Sequence, residues 1–378
     1  MRRAGELVVL HVLEAIEGGT ARHLVDVVTH ASGALHEVAI PASRSAGVTD
    51  EMAIDELQRL AHDVHFIPMR RSASPARNLR ALLELRHLVA RIEPDVVHGH
   101  SSVGGALSRV VGRGRPIFYT PNGIVTTRHH LVVERLLARA TDRLIATSPS
   151  EGATAARLKL APADRIVVIP NGIDVDARTE AARDLRAEWE LGPQTPLVGT
   201  IARLVPQKAP DQFVRACAAV HRDRPDAHFV LIGSGPLQDV VDREVAAAGL
   251  TACFHQIAYT PAASSELGQF DVFVLLSRFE GGPYTPLESL RAGTPVVVTD
   301  VTGNSDAIEG GVTGRVVPFG DSRAAASAVI GFLEDGASAR RMVAAGRESL
   351  RRQFDVREMG RTLSRLYAER AGVAPVER

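Results

Sequence analysis

Short β-branched runs alternate with longer amphipathic stretches along almost the whole chain, and that rhythm admits few folds. A strand followed by a helical crossover returns parallel to itself, so repeated βα units predict a parallel sheet covered by helices. In the first half the strand candidates fall at 7–13, 36–40, 64–68, 95–98, 116–120, 143–147 and 165–169. A second series begins at 196–202 and continues through 228–232, 252–256, 271–275, 295–299 and 314–317. Helical patterns lie between them, such as 77–91, whose Leu79, Leu82, Leu83, Leu88 and Val89 are assigned to one face.

Two such series predict two Rossmann-like, doubly wound α/β domains facing each other across a cleft, with ligands at the carboxyl ends of the strands. A length of 378 residues is itself more than one ordinary core accommodates. The turn Pro170-Asn171-Gly172-Ile173-Asp174, with a polar stretch to about Gly192, marks the boundary. The expected domains are therefore 1–175 and 176–354, with a C-terminal helix at about 355–378 packing back toward the N-domain. Lys and Arg total 44 and so do Asp and Glu, so no global field draws the chain to nucleic acid. Cys217 and Cys253 are the only cysteines, too few for a disulfide framework and without zinc spacing. No run approaches the roughly 20 apolar residues of a membrane span. The Met1-Arg2-Arg3 start lacks a cleavage site, so a cytoplasmic location is expected.

The most informative segment runs from Ser277 to Glu288, SRFEGGPYTPLE. It follows an apolar strand and opens a helical run at Pro286, so backbone N–H groups of Gly281, Gly282, Tyr284 and Thr285 gather where a helix begins, a ready anion site. Glu280 sits in the loop and Glu288 about one turn into the helix. Carboxylates accept hydrogen bonds well from sugar and ribose hydroxyls, so amides flanked by two such acceptors suit a nucleotide-sugar better than free phosphate. An acidic first turn that merely favours the helix is the plainer alternative.

Arg203 closes a strand in GTIARLVPQK and Lys208 opens the next helix, so both cations project from the same sheet edge. A planar fork and a point charge together match a diphosphate and would stabilise its departure without a metal. Two solvated surface cations are the competing account. Gly18 and Gly19 follow the first strand and allow a ligand close to the backbone. The dinucleotide fingerprint is absent there, and Gly233-Ser234-Gly235 lacks its third glycine. Asp174-Val175-Asp176 reads as a linker cap. The pairs His98/His100 and His129/His130 lack convergent ligands and are weak metal candidates. The 77–91 helix, preceded by Arg70 and Arg71, is basic and amphipathic, a pattern explained by packing on the sheet or by contact with an anionic membrane.

EGGPYTPLE with AGTPVVVTD after it, together with GTIARLVPQK, IPNGID, LIGSGP and DVVHGHSS, resembles the signature of glycosyltransferase family 4. The resemblance extends from about Leu7 to Pro318 and implies the GT-B fold and a retaining, metal-independent reaction. It implies that Glu280 lies beside the donor sugar and Glu288 holds the ribose hydroxyls. Gly281 and Gly282 would supply amides near the sugar, Tyr284 and Thr285 amides near the phosphates. Arg203 and Lys208 would grip the diphosphate, Gly18 and Gly19 would close on the donor, and Gly233, Ser234 and Gly235 would line the nucleoside pocket. Many members have a histidine where this chain has Asn122, which leaves the sugar open; His100 is a second candidate on the sugar or acceptor side.

The expected function is transfer of a hexose or N-acetylhexosamine from a UDP-sugar to an acceptor hydroxyl, with no cofactor. The acceptor is a glycan, as in polysaccharide or lipid-linked glycan assembly, or a small molecule, as in secondary-metabolite biosynthesis. Peripheral contact with the inner membrane face accompanies the first case. A GT-B sugar-nucleotide 2-epimerase and a non-catalytic nucleotide-sugar-binding protein are the rivals.

Overall fold

The computed structural model describes residues 6–42, 50–72, 75–178, 180–260 and 262–373. The Met1-Arg2-Arg3 start and residues 374–378 lie outside them. The chain divides into two compact units, Met1–Gly172 with Val356–Arg378, and Ile173–Asp355.

The first unit runs β1 (Leu7–Leu13), α1 (Gly18–His30), β2 (Ala34–Pro41), α2 (Glu51–Leu60), β3 (Asp63–Ile67), α3 (Leu79–Ile92) and β4 (Val96–His100). It continues through α4 (Ser102–Val111), β5 (Ile117–Thr120), α5 (Arg128–Leu137), β6 (Arg143–Ala146), α6 (Pro149–Leu158) and β7 (Ile166–Val168). Its sheet has the order β3-β2-β1-β4-β5-β6-β7, with every pair parallel. β1 is central and buried along its whole length, as a strand covered on both faces must be. Helix starts are local: Asp50 accepts from the Ala53 amide, and Ser148, with Pro149 behind it, accepts from Glu151.

The second unit runs α7 (Leu185–Glu188), β8 (Leu197–Ile201), α8 (Pro210–Asp223), β9 (His228–Ile232), α9 (Gln238–Ala247), β10 (Phe254–Ile257) and β11 (Val272–Leu275). Then come α10 (Tyr284–Ala292), β12 (Val296–Thr299), α11 (Asn304–Ala307), β13 (Arg315–Val317), α12 (Ser322–Glu334) and α13 (Gly336–Gln353). The sheet order is β10-β9-β8-β11-β12-β13, again parallel throughout. The last helix, α14 (Val356–Ala371), belongs to the first unit, where Val356, Met359, Leu363 and Tyr367 join Val9, Val96 and Phe118 in one core. Both strand orders reverse direction beside the first strand of their unit, at β1/β4 and β8/β11. Such switch points open a crevice at the carboxyl edge.

The apolar stripe expected on α3 fails. The buried face of α3 is Ala81, Leu85, Leu88 and Val89, whereas Leu79 and Leu83 are 56% and 52% exposed. At about 100° per residue both leucines fall on the far side of the helix from Leu85, so the assumed stripe mixed two faces.

Candidate functional site

In the second unit, the loop after β11 places Glu280 against the segment between β8 and α8. Lys208 Nζ lies 2.7 Å from Glu280 Oε1, with both side chains largely shielded from solvent. Gln207 Nε2 donates to the Phe279 carbonyl at 3.1 Å and to Glu280 Oε2 at 3.4 Å. The Arg278 amide donates to the Gln207 carbonyl at 2.8 Å, and the Glu280 amide to the Thr302 carbonyl at 2.9 Å. Gly303 closes the other side: at φ +84°, a Cβ there would sit 2.6 Å from the Gly281 carbonyl oxygen and 2.9 Å from Glu280 Cβ. Only glycine lets the two loops approach this closely. The Glu280 carboxylate is thus fixed from two directions, with one oxygen on a cation and the other on an amide.

α10 begins at Tyr284, two residues earlier than the sequence suggested, with Pro283 as its extended N-cap. Tyr284 and Thr285 contribute the amides of the first turn, and Pro286 has none to contribute. Glu288 is 6% exposed on the inner side of the same helix. Lys208 and Arg203 stand in a connection rather than on the elements expected: β8 ends at Ile201 and α8 starts at Pro210, with Ala209 in the left-handed region. The connection is laced to the loop after β9, for the Leu204 amide donates to the Ser234 carbonyl at 3.0 Å. A Cβ on Gly233 would lie 1.9 Å from the Ala202 carbonyl oxygen. Ser234 Oγ accepts from the Tyr259 amide at 3.0 Å, so the Gly233–Gly235 turn is braced on both flanks. Arg203, Lys208, Gly233, Ser234, Gly235, Glu280, Gly281, Gly282, Tyr284, Thr285 and Glu288 all belong to this unit, on the segments that leave the carboxyl ends of β8, β9 and β11.

The other candidates belong to the first unit. Gly18 and Gly19 form the first turn of α1 instead of the loop before it, with Gly18 at φ +53°. Asn122 has φ +54°, a backbone asparagine tolerates. Its turn is held by Glu151, whose Oε1 accepts from the Gly123 amide at 2.7 Å and whose Oε2 accepts from the Thr147 amide at 2.7 Å. His100 ends β4 and is fully buried, within ring contact of His98, His11 and His23. Gln207, Thr302, Gly303 and Glu151 were missed from sequence, although a glycine four positions past β12 was a visible cue.

Residues 17–177 match the family described as Glycosyltransferase Family 4, and residues 182–349 match Glycosyl transferases group 1. A lipopolysaccharide core biosynthesis mannosyltransferase of Rhizobium meliloti is 30% identical over 64% of this chain and 69% of its own. An Escherichia coli galactosyltransferase named for UDP-Gal and α-D-GlcNAc-diphosphoundecaprenol is 27% identical over 71% of this chain and 74% of its own. Among solved structures, Anabaena HepE in complex with UDP and glucose superposes with a TM-score of 0.82 at 19% identity, covering 96% of this chain and 100% of that one. WaaG, a glycosyltransferase of lipopolysaccharide biosynthesis, gives 0.75 at 15% identity, covering 96% and 99%. The fold is GT-B. The chain belongs to glycosyltransferase family 4, and its class of reaction is glycosyl transfer.

Proposed function

We propose that the protein is a retaining, metal-independent hexosyltransferase that moves a hexose or N-acetylhexosamine from a UDP-sugar to an acceptor hydroxyl. The observation that carries this reading is the shielded Lys208–Glu280 pair beside the first turn of α10. It puts a cation, a hydroxyl-accepting carboxylate and helix N-terminal amides within one loop system, the chemistry a sugar diphosphate needs. The related galactosyltransferase and mannosyltransferase, and the UDP and glucose held by HepE, support the choice of donor.

In this reading Arg203 and Lys208 take the diphosphate, Tyr284 and Thr285 supply amides to it, and Glu288 accepts from the ribose. Glu280, with Gly281 and Gly282, orients the sugar. Gly233, Ser234 and Gly235 line the nucleoside side, while Gly18, Gly19, Asn122 and His100 serve the sugar or acceptor from the first unit. As the bond from the anomeric carbon to the diphosphate breaks, the leaving oxygen takes the acceptor's proton. The acceptor oxygen bonds to the face just vacated, so configuration is retained and no separate protein base is used. Positive charge stabilises the leaving group in place of a metal.

The relatives' names favour an envelope glycan acceptor over a small secondary metabolite. Among the described residues no helix is long and apolar enough to cross a membrane. The reading places the protein in the cytoplasm, with Leu79 and Leu83 exposed beside Arg80 for contact at the inner membrane face.

A thermal-shift panel of nucleotides and nucleotide-sugars tests the donor, because a ligand that binds only the folded state raises its melting temperature. UDP and at least one UDP-sugar should stabilise the protein, and the sugar should leave only when an acceptor is supplied. Epimerised sugar from the donor alone would instead identify an isomerase. Indifference to every nucleotide would overturn the reading.

A further inference from the structure

Five imidazoles in the first unit lie buried together: His11 on β1, His23 on α1, His36 on β2, and His98 and His100 on β4. Ring centroids are 5.1 Å apart for His11 and His36, 5.3 Å for His11 and His100, 4.1 Å for His98 and His100, and 5.5 Å for His23 and His100. Desolvation is the leading cause that lowers the pKa of all five, so each is neutral at pH 7. A neutral imidazole has one N–H and one lone pair, so a single fixed contact decides what the other nitrogen does.

That rule propagates. His36 Nε2 lies 2.7 Å from the Ala31 carbonyl oxygen, which can only accept, so Nε2 carries the proton and Nδ1 is a lone pair. His11 Nε2, 2.9 Å from that lone pair, must donate, which leaves His11 Nδ1 to accept. His100 Nε2 lies 3.0 Å from His11 Nδ1 and must donate in turn. His100 Nδ1 is therefore a lone pair, and it has no partner among the described residues. His23 reaches the same state independently: its Nδ1 donates to Asn171 Oδ1 at 3.0 Å, and its Nε2 lone pair is also unpartnered. His98 takes no part, since its nitrogens face Tyr367 Oη at 2.6 Å and Thr120 Oγ1 at 2.8 Å.

Two buried acceptors on adjacent rings, each without a donor, are costly to leave unmet. Their common polarity also selects the partner. Phosphate and carboxylate oxygens, which only accept, are refused; a hydroxyl fits. His100 ends β4, and His23 lies on the helix that follows β1, at the carboxyl edge where this class of sheet receives ligands.

We propose that His100 Nδ1 and His23 Nε2 form a hydroxyl-accepting subsite for a carbohydrate, with His11 and His36 as positioning residues that fix the His100 tautomer from the Ala31 carbonyl. The proposal rests on the transferase reading above and narrows it: the group received here is a sugar hydroxyl. Both nitrogens are enclosed, and the helix that carries His23 opens on Gly18 and Gly19.

Long-range proton–nitrogen correlation on the uniformly ¹⁵N-labelled full chain tests this without any assay of transfer. The expected result is protonated Nε2 on His11, His36 and His100 and protonated Nδ1 on His23. A proton on His100 Nδ1 or His23 Nε2 overturns the proposal. UDP, UDP-glucose and UDP-N-acetylglucosamine are then added in turn. Whichever sugar nucleotide raises the melting temperature should move the His100 Nδ1 and His23 Nε2 signals, while UDP leaves them in place. A stabilising sugar nucleotide that moves neither signal beyond UDP overturns the subsite and leaves the donor reading intact. No stabilisation by any of the three removes the donor reading and the ligand with it. His36→Phe, which keeps a ring but loses the anchor, should let His100 sample both tautomers and weaken sugar-nucleotide binding about fivefold relative to UDP. An unchanged His100 tautomer in that variant refutes the positioning role.

Discussion

Lowering the pH from about 7.5 to about 5 loads protons onto histidines of an unfolded chain more readily than onto the enclosed imidazoles of the first unit. Burial lowers the His23 pKa from 6.5 to about 4, and it lowers His11, His36, His98 and His100 as well. Because the folded values lie below the unfolded one, the stabilisation is complete above about pH 6.5 and is lost as pH falls toward the folded values. For His23 alone the loss at pH about 5 is about 2 kcal/mol, and the other four act in the same direction. About 2 kcal/mol corresponds to a melting temperature lower by about 4–8 °C for a unit of this size. Ordinary carboxylates titrate mostly below this window, so histidines dominate it. Calorimetry or denaturant titration at the two pH values reads the effect, and His23→Asn isolates it. The asparagine amide keeps a donor near Asn171 but cannot titrate, so the pH-dependent loss should shrink by about 2 kcal/mol. Equal first-unit stability at both pH values, or the same slope in the variant, would refute the buried neutral network.

Lys208→Ala leaves the Glu280 carboxylate shielded and unpaired, and should destabilise the second unit by about 3–5 kcal/mol. Glu280→Gln should cost less, because a lysine ammonium can swing to solvent on its flexible stem; chemical unfolding ranks the two. Both should abolish sugar transfer at temperatures where circular dichroism shows the fold intact, and turnover surviving in both would remove the pair from the site. Gly303→Ala combines an unfavourable positive φ with a clash against the Gly281 carbonyl, so it should cost about 1–3 kcal/mol. It should also weaken UDP-sugar binding by about tenfold or more through the displaced Glu280 loop, as titration calorimetry would report; unaltered affinity would mean that the loop is not braced there.

The strands were readable because a parallel sheet covered on both faces demands continuous apolar runs, and the bounds β1 Leu7–Leu13 and β9 His228–Ile232 fall where those runs begin and end. Where the reading slipped, pairing overruled local preference. β4 carries on past His98 because Gly99 and His100 pair with Tyr119 and Thr120, although a glycine beside a histidine looks locally like a strand end. β10 extends to Ile257 because that residue pairs with Ile232. On α3 the leucines were too dense for composition alone to say which face the sheet would claim, and only the spacing relative to Leu85 decides it.

The site divides along the same line. Glu280, Lys208 and the opening of α10 each announce themselves within a few residues, but the pairing of Lys208 with Glu280 and the bracing from Thr302 and Gly303 are contacts between separate crossovers. The histidine relay is the extreme case. His11 is one polar residue in an apolar strand and His36 another, and nothing local distinguishes either from a lone structural histidine. What joins them is register: His11 stands opposite His98 and Val38, and β2 lies beside β1. A slip of one residue would turn His11 to the opposite face of the sheet and break the line from the Ala31 carbonyl to His100. The acceptor character assigned to His100 is thus set by the strand register of the whole sheet, which is why the HGH segment by itself gave no sign of it.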